Sequence, residues 1–196
     1  MDNKYVLNCL DINASYTLSN ILFKYILDAL EQQKQLVFLC IGTDRSTGDS
    51  LGPLIGDKLK FLKGNNISVF GNLESPVHAK NLIDVLALIK DKYSDPFIIA
   101  VDACLGSINN VGNIIIEKKP LNPGSAMNKK LPPVGDISIT GIVNICGSLE
   151  FMVLQNTRLF TVMQLANVIS HAIYHSILKV KSIDKISSLS NITSKV

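Results

Sequence analysis

Two apolar runs, each followed by an aspartate, constrain the fold of this chain more than any other feature. The first run, Leu36–Ile41, leads into a glycine-rich segment that contains Asp49. The second run, Phe97–Val101, leads directly into Asp102. Continuous apolar runs of this length are typical of strands buried on both faces of a parallel sheet. Because ligands bind beyond the carboxyl ends of such strands, we expect Asp49 and Asp102 to meet at one crevice if the strands are adjacent.

The rest of the chain alternates helical and strand patterns. The periodicity predicts helices over 17–33, 50–64, 77–93 and 157–178, and strands over 36–41, 67–71, 97–101, 111–117 and 137–146. This alternation predicts an α/β fold, a three-layer α/β/α sandwich with a mostly parallel or mixed sheet.

We expect residues 1–196 to form a single domain, with an N-terminal arm at 1–16 and a frayed tail at about 181–196. Residues 120–134 hold four of the seven prolines, which predicts a long loop that crosses near the two aspartates.

The composition indicates a globular protein of the cytoplasm. Apolar residues make up 47% of the chain, and the net charge of +3 comes without a long basic run, which argues against nucleic acid as a partner. The chain shows neither a signal-peptide core nor a run of 18 apolar residues, so we predict no membrane partner. Its four cysteines lack C-x-x-C spacing and are interpreted as buried residues in a reducing compartment.

Two carboxylates at a sheet edge can act as a general acid/base pair or as oxygen ligands of a metal. Asp49 can also be an N-cap of the following helix, and Asp102 can be a turn residue. His78 is expected at the start of a helix facing the same edge, where it is a capping residue, a ligand or an acid/base group. His171 and His175 are four residues apart but lack the glutamate of the zinc-protease motif, so they are interpreted as ordinary helix residues.

Several common catalytic motifs do not occur in the sequence. The glycine-rich segment after the first strand is neither G-x-G-x-x-G nor a phosphate loop, and no G-x-S-x-G elbow is present. We therefore predict no cofactor and no bound metal, and the aspartates remain the strongest candidates for chemistry.

Four segments, 42–59, 98–103, 122–130 and 134–147, resemble the spore protein YyaC family, also known as the domain of unknown function DUF1256. The likeness extends over about residues 36–170. More distantly, the chain resembles the spore germination protease, which degrades small acid-soluble spore proteins. Hydrogenase maturation endopeptidases are similar in fold and in the two acidic positions.

The resemblance to the germination protease is carried by three short stretches: Asp49 before Leu-Gly-Pro, Asp102 after its apolar run, and 123–130. It implies an endopeptidase-like protein of the sporulation programme, located in the forespore or spore core, with Asp49 and Asp102 as its catalytic pair. Its partner would be a protein or peptide substrate such as a small acid-soluble spore protein, and an oligomer is compatible with this interpretation.

The residues expected to support the pair or bind substrate are Thr43, Asp44, Gly48, His78, Asn122, Ser125, Lys129, Lys130 and Asp136. The two lysines would offset the charge of the aspartates or hold an acidic segment of the substrate. Two alternatives stay open at this point. One is a non-catalytic sporulation protein that binds a peptide or partner protein in the same crevice, and the other is a metal-dependent hydrolase that uses Asp49, Asp102 and His78.

Overall fold

Strands and helices alternate along the parts of the chain that the computed structural model describes, residues 4–62, 66–123 and 131–193. In chain order the elements are β1 (Lys4–Asn8), α1 (Ala14–Glu31), β2 (Leu36–Cys40), α2 (Leu51–Leu59), β3 (Ile67–Phe70), α3 (Leu82–Lys92), β4 (Phe97–Gly106), β5 (Asn113–Glu117), β6 (Ile137–Ile145), α4 (Glu150–Gln155) and α5 (Leu159–Thr193). Short 3₁₀ turns at Gly48–Ser50 and Ile108–Asn110 precede α2 and β5.

The strands form one mixed sheet in the order β1-β5-β6-β4-β2-β3. Strands β6, β4, β2 and β3 run parallel, whereas β1 and β5 are antiparallel to their neighbours. Strands β2 and β4 are adjacent and parallel, with Cys40 opposite Val101. The carboxyl ends of the two apolar runs therefore meet at one edge of the sheet.

Apolar side chains cover both faces of this sheet. Helices α1, α2 and α5 pack on one face, where Phe38 and Val101 contribute to the larger core. On the other face, α3 packs against Val37 and Leu39 in a smaller core. All five residues of β2 are buried, which explains why its sequence is continuously apolar rather than alternating. The predicted α/β class, with helices on both faces of a mixed sheet, is confirmed.

Two boundaries near the carboxyl edge differ from the predictions. Helix α3 begins at Leu82 rather than at Val77, because Val77 forms a parallel bridge with Ile41 and its carbonyl accepts the Gly42 N–H at 2.8 Å. Strand β4 does not end at Val101 but continues to Gly106, because β6 pairs with it along this length.

The two ends of the chain also contain more regular structure than the sequence pattern indicated. Residues 4–8 of the expected arm form β1, which pairs with β5 at the edge of the sheet. The backbone of α5 remains helical to Thr193, well beyond the predicted end at residue 178, and Lys179 binds Ser19 and Asn20 of α1. Within the described ranges, none of the helices combines the length and the apolar character needed to cross a bilayer.

Candidate active site

An open cavity of about 320 Å³ lies at the carboxyl edge of β2, over the middle of β4. This volume is at the lower end of the range for small-ligand pockets. Its polar lining comes from five separate parts of the chain: Asp49, His78, Asp102, Cys104, Cys146 and Glu150. Both aspartates singled out by the sequence therefore line the same cavity.

Asp49 is placed by a tight loop between β2 and α2. Its carbonyl accepts the Thr43 N–H at 3.0 Å, and its own N–H donates to the Ser46 carbonyl at 3.1 Å. Gly42 has φ +141°, and a Cβ at this position would collide with the Asp49 carbonyl oxygen. The N-cap interpretation of Asp49 is wrong: Ser50 precedes α2, and no side-chain cap bond is made at the start of that helix.

Asp102 is held inside a strand and not in a turn, so the turn interpretation is also wrong. It lies opposite Thr140 of β6, and only 8% of its surface is exposed. Its Oδ1 accepts the backbone N–H of Ala103 at 2.8 Å. Burial and strand pairing therefore hold this carboxyl group in a fixed position at the cavity wall.

The surroundings of the two aspartates favour their protonated forms. Burial raises the pKa of Asp49 to about 6, and the Thr43 N–H offsets part of that effect. Burial and then the charge of Asp49 raise the pKa of Asp102 well above its usual range, although the Ala103 N–H opposes them. Two carboxyl groups that repel each other's charge titrate as a pair. Both aspartates therefore favour the protonated form, and Asp102 is the more deeply buried of the two.

His78 enters the cavity on a turn that a single asparagine braces. The Asn81 side chain accepts the His78 N–H at 2.8 Å and donates to the Pro76 carbonyl at 3.0 Å. The Nδ1 atom of His78 is buried and has no hydrogen-bond partner in the described part of the chain. Buried polar atoms are nearly always paired, so this nitrogen is an exception among the groups around the cavity.

Three further polar groups of the lining escaped the sequence analysis as site residues. Glu150 begins α4, directly after Leu149 in the left-handed conformation at φ 60°. Cys146 is exposed, so the prediction that all cysteines are buried is wrong for this residue. Burial raises the pKa of Cys104 to about 11, which keeps its thiol protonated and unreactive near neutral pH.

The loop between β2 and α2 carries three of the supporting residues predicted from the sequence. Thr43 and Asp44 lie ahead of Asp49 in this loop, and Asp44 is exposed. Gly48 lies in the turn that contains Asp49 and packs closely against Leu154 of α4. These residues shape the loop rather than form the polar lining of the cavity.

The remaining predicted site residues are distributed more widely. Asn122 lines a smaller cavity beside the first. Asp136 lies at the opposite, amino end of β6, where its Oδ2 accepts the Ile98 N–H at 2.8 Å. It is four residues before Thr140, about 13 Å along the strand from the level of Asp102. Ser125, Lys129 and Lys130 lie outside the described residues.

Carboxylates and an imidazole in one cavity have the chemistry of ligands for a divalent metal. Asp49, Asp102, Glu150 and His78 are the side chains that could supply them. However, no three such groups among residues 4–62, 66–123 and 131–193 are arranged to hold a metal ion.

Comparisons with known proteins identify the family. The family model described as "Protein of unknown function (DUF1256)" matches residues 6–172. The chain belongs to this family. It is 52% identical over 140 residues to "Uncharacterized protein YyaC" of Bacillus subtilis (strain 168). This alignment covers 71% of the present chain and 68% of the Bacillus protein. The likeness of this DUF1256 member to the YyaC family, predicted from its motifs, is confirmed.

A solved structure also aligns with this DUF1256 protein. It is the NiFe hydrogenase maturation protease HycI from Thermococcus kodakarensis KOD1, with a TM-score of 0.46 and 17% sequence identity. The alignment covers 76% of this chain and 99% of the protease.

Proposed function

We propose that this protein is an endopeptidase-like hydrolase in which Asp49 and Asp102 form the acid/base pair. One observation carries the proposal: a half-buried carboxyl group in the loop after β2 and a buried one on the adjacent parallel strand β4 line one cavity, and the charge of Asp49 raises the tendency of Asp102 to hold a proton. Hydrolysis of an amide needs a base that activates water and an acid that protonates the leaving group. A pair that shares one proton supplies both.

The different surroundings of the two aspartates assign their roles. Asp49, with its pKa of about 6, is the ionised member and removes a proton from water as the water oxygen attacks the peptide carbonyl carbon. Asp102, which holds its proton more firmly, donates it to the carbonyl oxygen. The resulting diol collapses as the proton on Asp49 passes to the amide nitrogen, the C–N bond breaks, and a diol proton returns to Asp102.

Likeness to the spore germination protease supports the choice of substrate. The likeness includes Asp49 and Asp102, which are the residues that we assign to the chemistry. Small acid-soluble spore proteins are therefore the proposed substrates, and the forespore or spore core is the proposed location. The proposal involves neither a nucleic acid nor a membrane.

Mass spectrometry of small acid-soluble spore proteins incubated with the purified protein tests this function. We expect new peptide termini with the wild type and none with Asp49→Asn or Asp102→Asn, because asparagine keeps the shape of the side chain but cannot transfer the proton. Asp28→Asn, which changes an exposed carboxylate of α1, is the matched control and should cleave like the wild type. Cleavage by either site variant at the wild-type rate would contradict the proposal.

The same assay separates the two alternatives. Saturable binding of intact substrate without cleavage would indicate a non-catalytic peptide-binding protein. Cleavage that stops after prolonged chelation and returns with an added divalent metal would indicate a metal-dependent hydrolase. Cleavage that survives chelation agrees with the carboxyl pair.

A further inference from the structure

A second, smaller cavity of about 130 Å³ opens beside the first. The two cavities share Asp102, Ala103 and Cys104 of β4, so they lie on either side of one proposed catalytic carboxyl. The remaining lining of the second cavity is mostly polar and comes from Glu117, Lys119, Asn122, Ser138 and Thr140, with Pro120 and Leu121.

The floor of this second cavity is part of the sheet itself. Thr140 of β6 is opposite Asp102, and Ser138 lies two residues earlier on the same face of the strand. Glu117 of β5 is opposite Ser138. The chain after β5 is held against the sheet at Leu121, which exchanges two backbone hydrogen bonds with Val134 at 2.8 and 2.9 Å. The polar groups of β4, β5 and β6 are therefore fixed by strand pairing, and the bridge at Leu121 holds the connection beside Asn122.

The first cavity has a different character away from its aspartates. Ile41, Leu105, Leu131 and Leu154 contribute apolar walls to it. A polypeptide that lies across β4 at Asp102 would place the residues on the two sides of its scissile bond in these two unlike environments.

We infer that the second cavity is a substrate subsite for a small uncharged polar side chain, such as serine, threonine or asparagine, next to the scissile bond. This inference rests on the proposed peptide hydrolysis and adds a sequence preference to it. The first cavity then receives an apolar side chain on the other side of the bond.

Size and polarity together define the occupant. A cavity of about 150 Å³ is enough for one benzene ring, so 130 Å³ excludes long or large side chains. Ser138 is 4% exposed, and within the described part of the chain its hydroxyl donates just one long hydrogen bond, to the Glu117 carbonyl at 3.5 Å. A polar side chain can satisfy such a group, whereas an apolar one would leave it unpaired at a cost in binding.

A charged occupant would gain little at the second cavity, because the charged groups there are already paired. Asp102 carries a proton in the proposed mechanism, and the carboxylate of Glu117 lies 3.0 Å from the ammonium of Lys119 and 3.8 Å from that of Lys4. Removing a further charge from water without a free partner costs binding energy. Lysine and arginine are also too long for this volume.

Titration calorimetry with non-cleavable hexapeptides tests the inference. Each peptide carries a hydroxyethylene isostere in place of the scissile bond, flanked by Leu and Ser, by Ser and Leu, or by Leu and Leu. We expect one of the two mixed peptides to bind the wild type at least about tenfold more tightly than the Leu/Leu peptide, because only serine satisfies the polar walls.

Two variants locate this preference in the second cavity. Asn122→Tyr places a ring at the exposed mouth, and Thr140→Val removes a hydroxyl with little change of shape. Each should reduce the preference to less than about threefold. Asn13→Tyr, at an exposed position before α1, is the matched control and should keep it. Circular dichroism confirms that each variant is folded.

The outcomes distinguish this inference from the proposed function. Cleavage of spore proteins by the wild type, without a preference for serine in the probes, would overturn the subsite and leave the hydrolysis standing. A serine preference that Asn122→Tyr removes, in a protein that cleaves nothing, would support the subsite and overturn the hydrolysis. Equal binding of all three probes, or none, overturns the subsite.

Discussion

Replacing Asp49 by asparagine should stabilise the fold at alkaline pH, because burial raises the pKa of this carboxyl group from 3.8 to about 6. In the unfolded chain the same group titrates near its usual value of about 3.9. Between these two pKa values the native state binds more protons than the unfolded state, so stability falls as the pH rises. The stabilising contribution of the protonated form is complete below about pH 4 and lost above about pH 6.

The size of the effect follows from the two pKa values. They differ by about 2, and each unit corresponds to about 1.36 kcal/mol, so ionised Asp49 lowers the free energy of unfolding by up to about 3 kcal/mol at pH 8. Asparagine has nearly the same shape and does not ionise. The Asp49→Asn substitution also removes the negative charge that disfavours ionisation of Asp102. This change too should make the variant more stable than the wild type at pH 8.

Urea unfolding of the wild type and Asp49→Asn at pH 4 and pH 8 measures this difference. We expect the variant to be more stable by about 2–3 kcal/mol at pH 8 and nearly unchanged at pH 4. Asp28→Asn, an exposed control, should change the free energy of unfolding by less than about 0.5 kcal/mol at both values. A variant that is less stable than the wild type at pH 8, or equally shifted at both pH values, would refute the reasoning.

Two further substitutions and one chemical modification test the residues around the aspartates. Gly42→Ala should lower the free energy of unfolding by at least about 2 kcal/mol in the same urea assay, because Gly42 has φ +141° and the new Cβ would collide with the Asp49 carbonyl oxygen. A variant as stable as the wild type would contradict this prediction. Asn81→Ala should lower the free energy of unfolding by about 1–2 kcal/mol and slow peptide cleavage about tenfold, because it removes the two hydrogen bonds that hold the turn carrying His78. An unchanged kcat/KM would show that the turn keeps its shape without them. Iodoacetamide at pH 8 should label the exposed Cys146 well before Cys104, whose pKa is about 11, and peptide mapping with the reverse order would exclude the described burial.

The meeting of Asp49 and Asp102 could be predicted from the sequence because it depends on strong local signals. Continuous apolar runs identify buried parallel strands, and such strands deliver the residues that follow them to one edge. The prediction required only that β2 and β4 be neighbours, which the structure confirms. The chemistry of the pair remains a proposal.

The turn around His78 could not be predicted from the sequence, because tertiary contacts override the helical pattern of these residues. Pro76 and the apolar residues after it favour a helix that begins at Val77. In the structure, the bridge from Val77 to Ile41 extends the backbone here, and the Asn81 side chain then holds the turn before α3 begins. A bridge between residues 36 positions apart leaves no local periodicity to recognise.

Glu150 and Cys146 were missed for a related reason. Cys146 lies in the connection from β6 to α4, where Leu149 adopts φ 60°, and Glu150 is the first residue of α4, which has six residues. An element this short shows too little of the helical period to be recognised in the sequence. Helix α4 packs beside the turn at Gly48 through Leu154, and Glu150 at its start lines the cavity.

The length of β4 explains how a carboxyl group can be both rigid and open to a ligand. Strand β2 pairs with β4 as far as Val101, whose carbonyl accepts the Ile41 N–H at 2.7 Å, and the chain then turns away at Gly42. Strand β6 continues to pair with β4 to Gly106 and keeps it extended. The Ala103 N–H, which points to the side that β2 has left, is bonded by Asp102 Oδ1. That bond fixes one carboxyl oxygen, so in the proposed mechanism Oδ2 is the atom through which Asp102 exchanges a proton with a substrate in the space beyond β2.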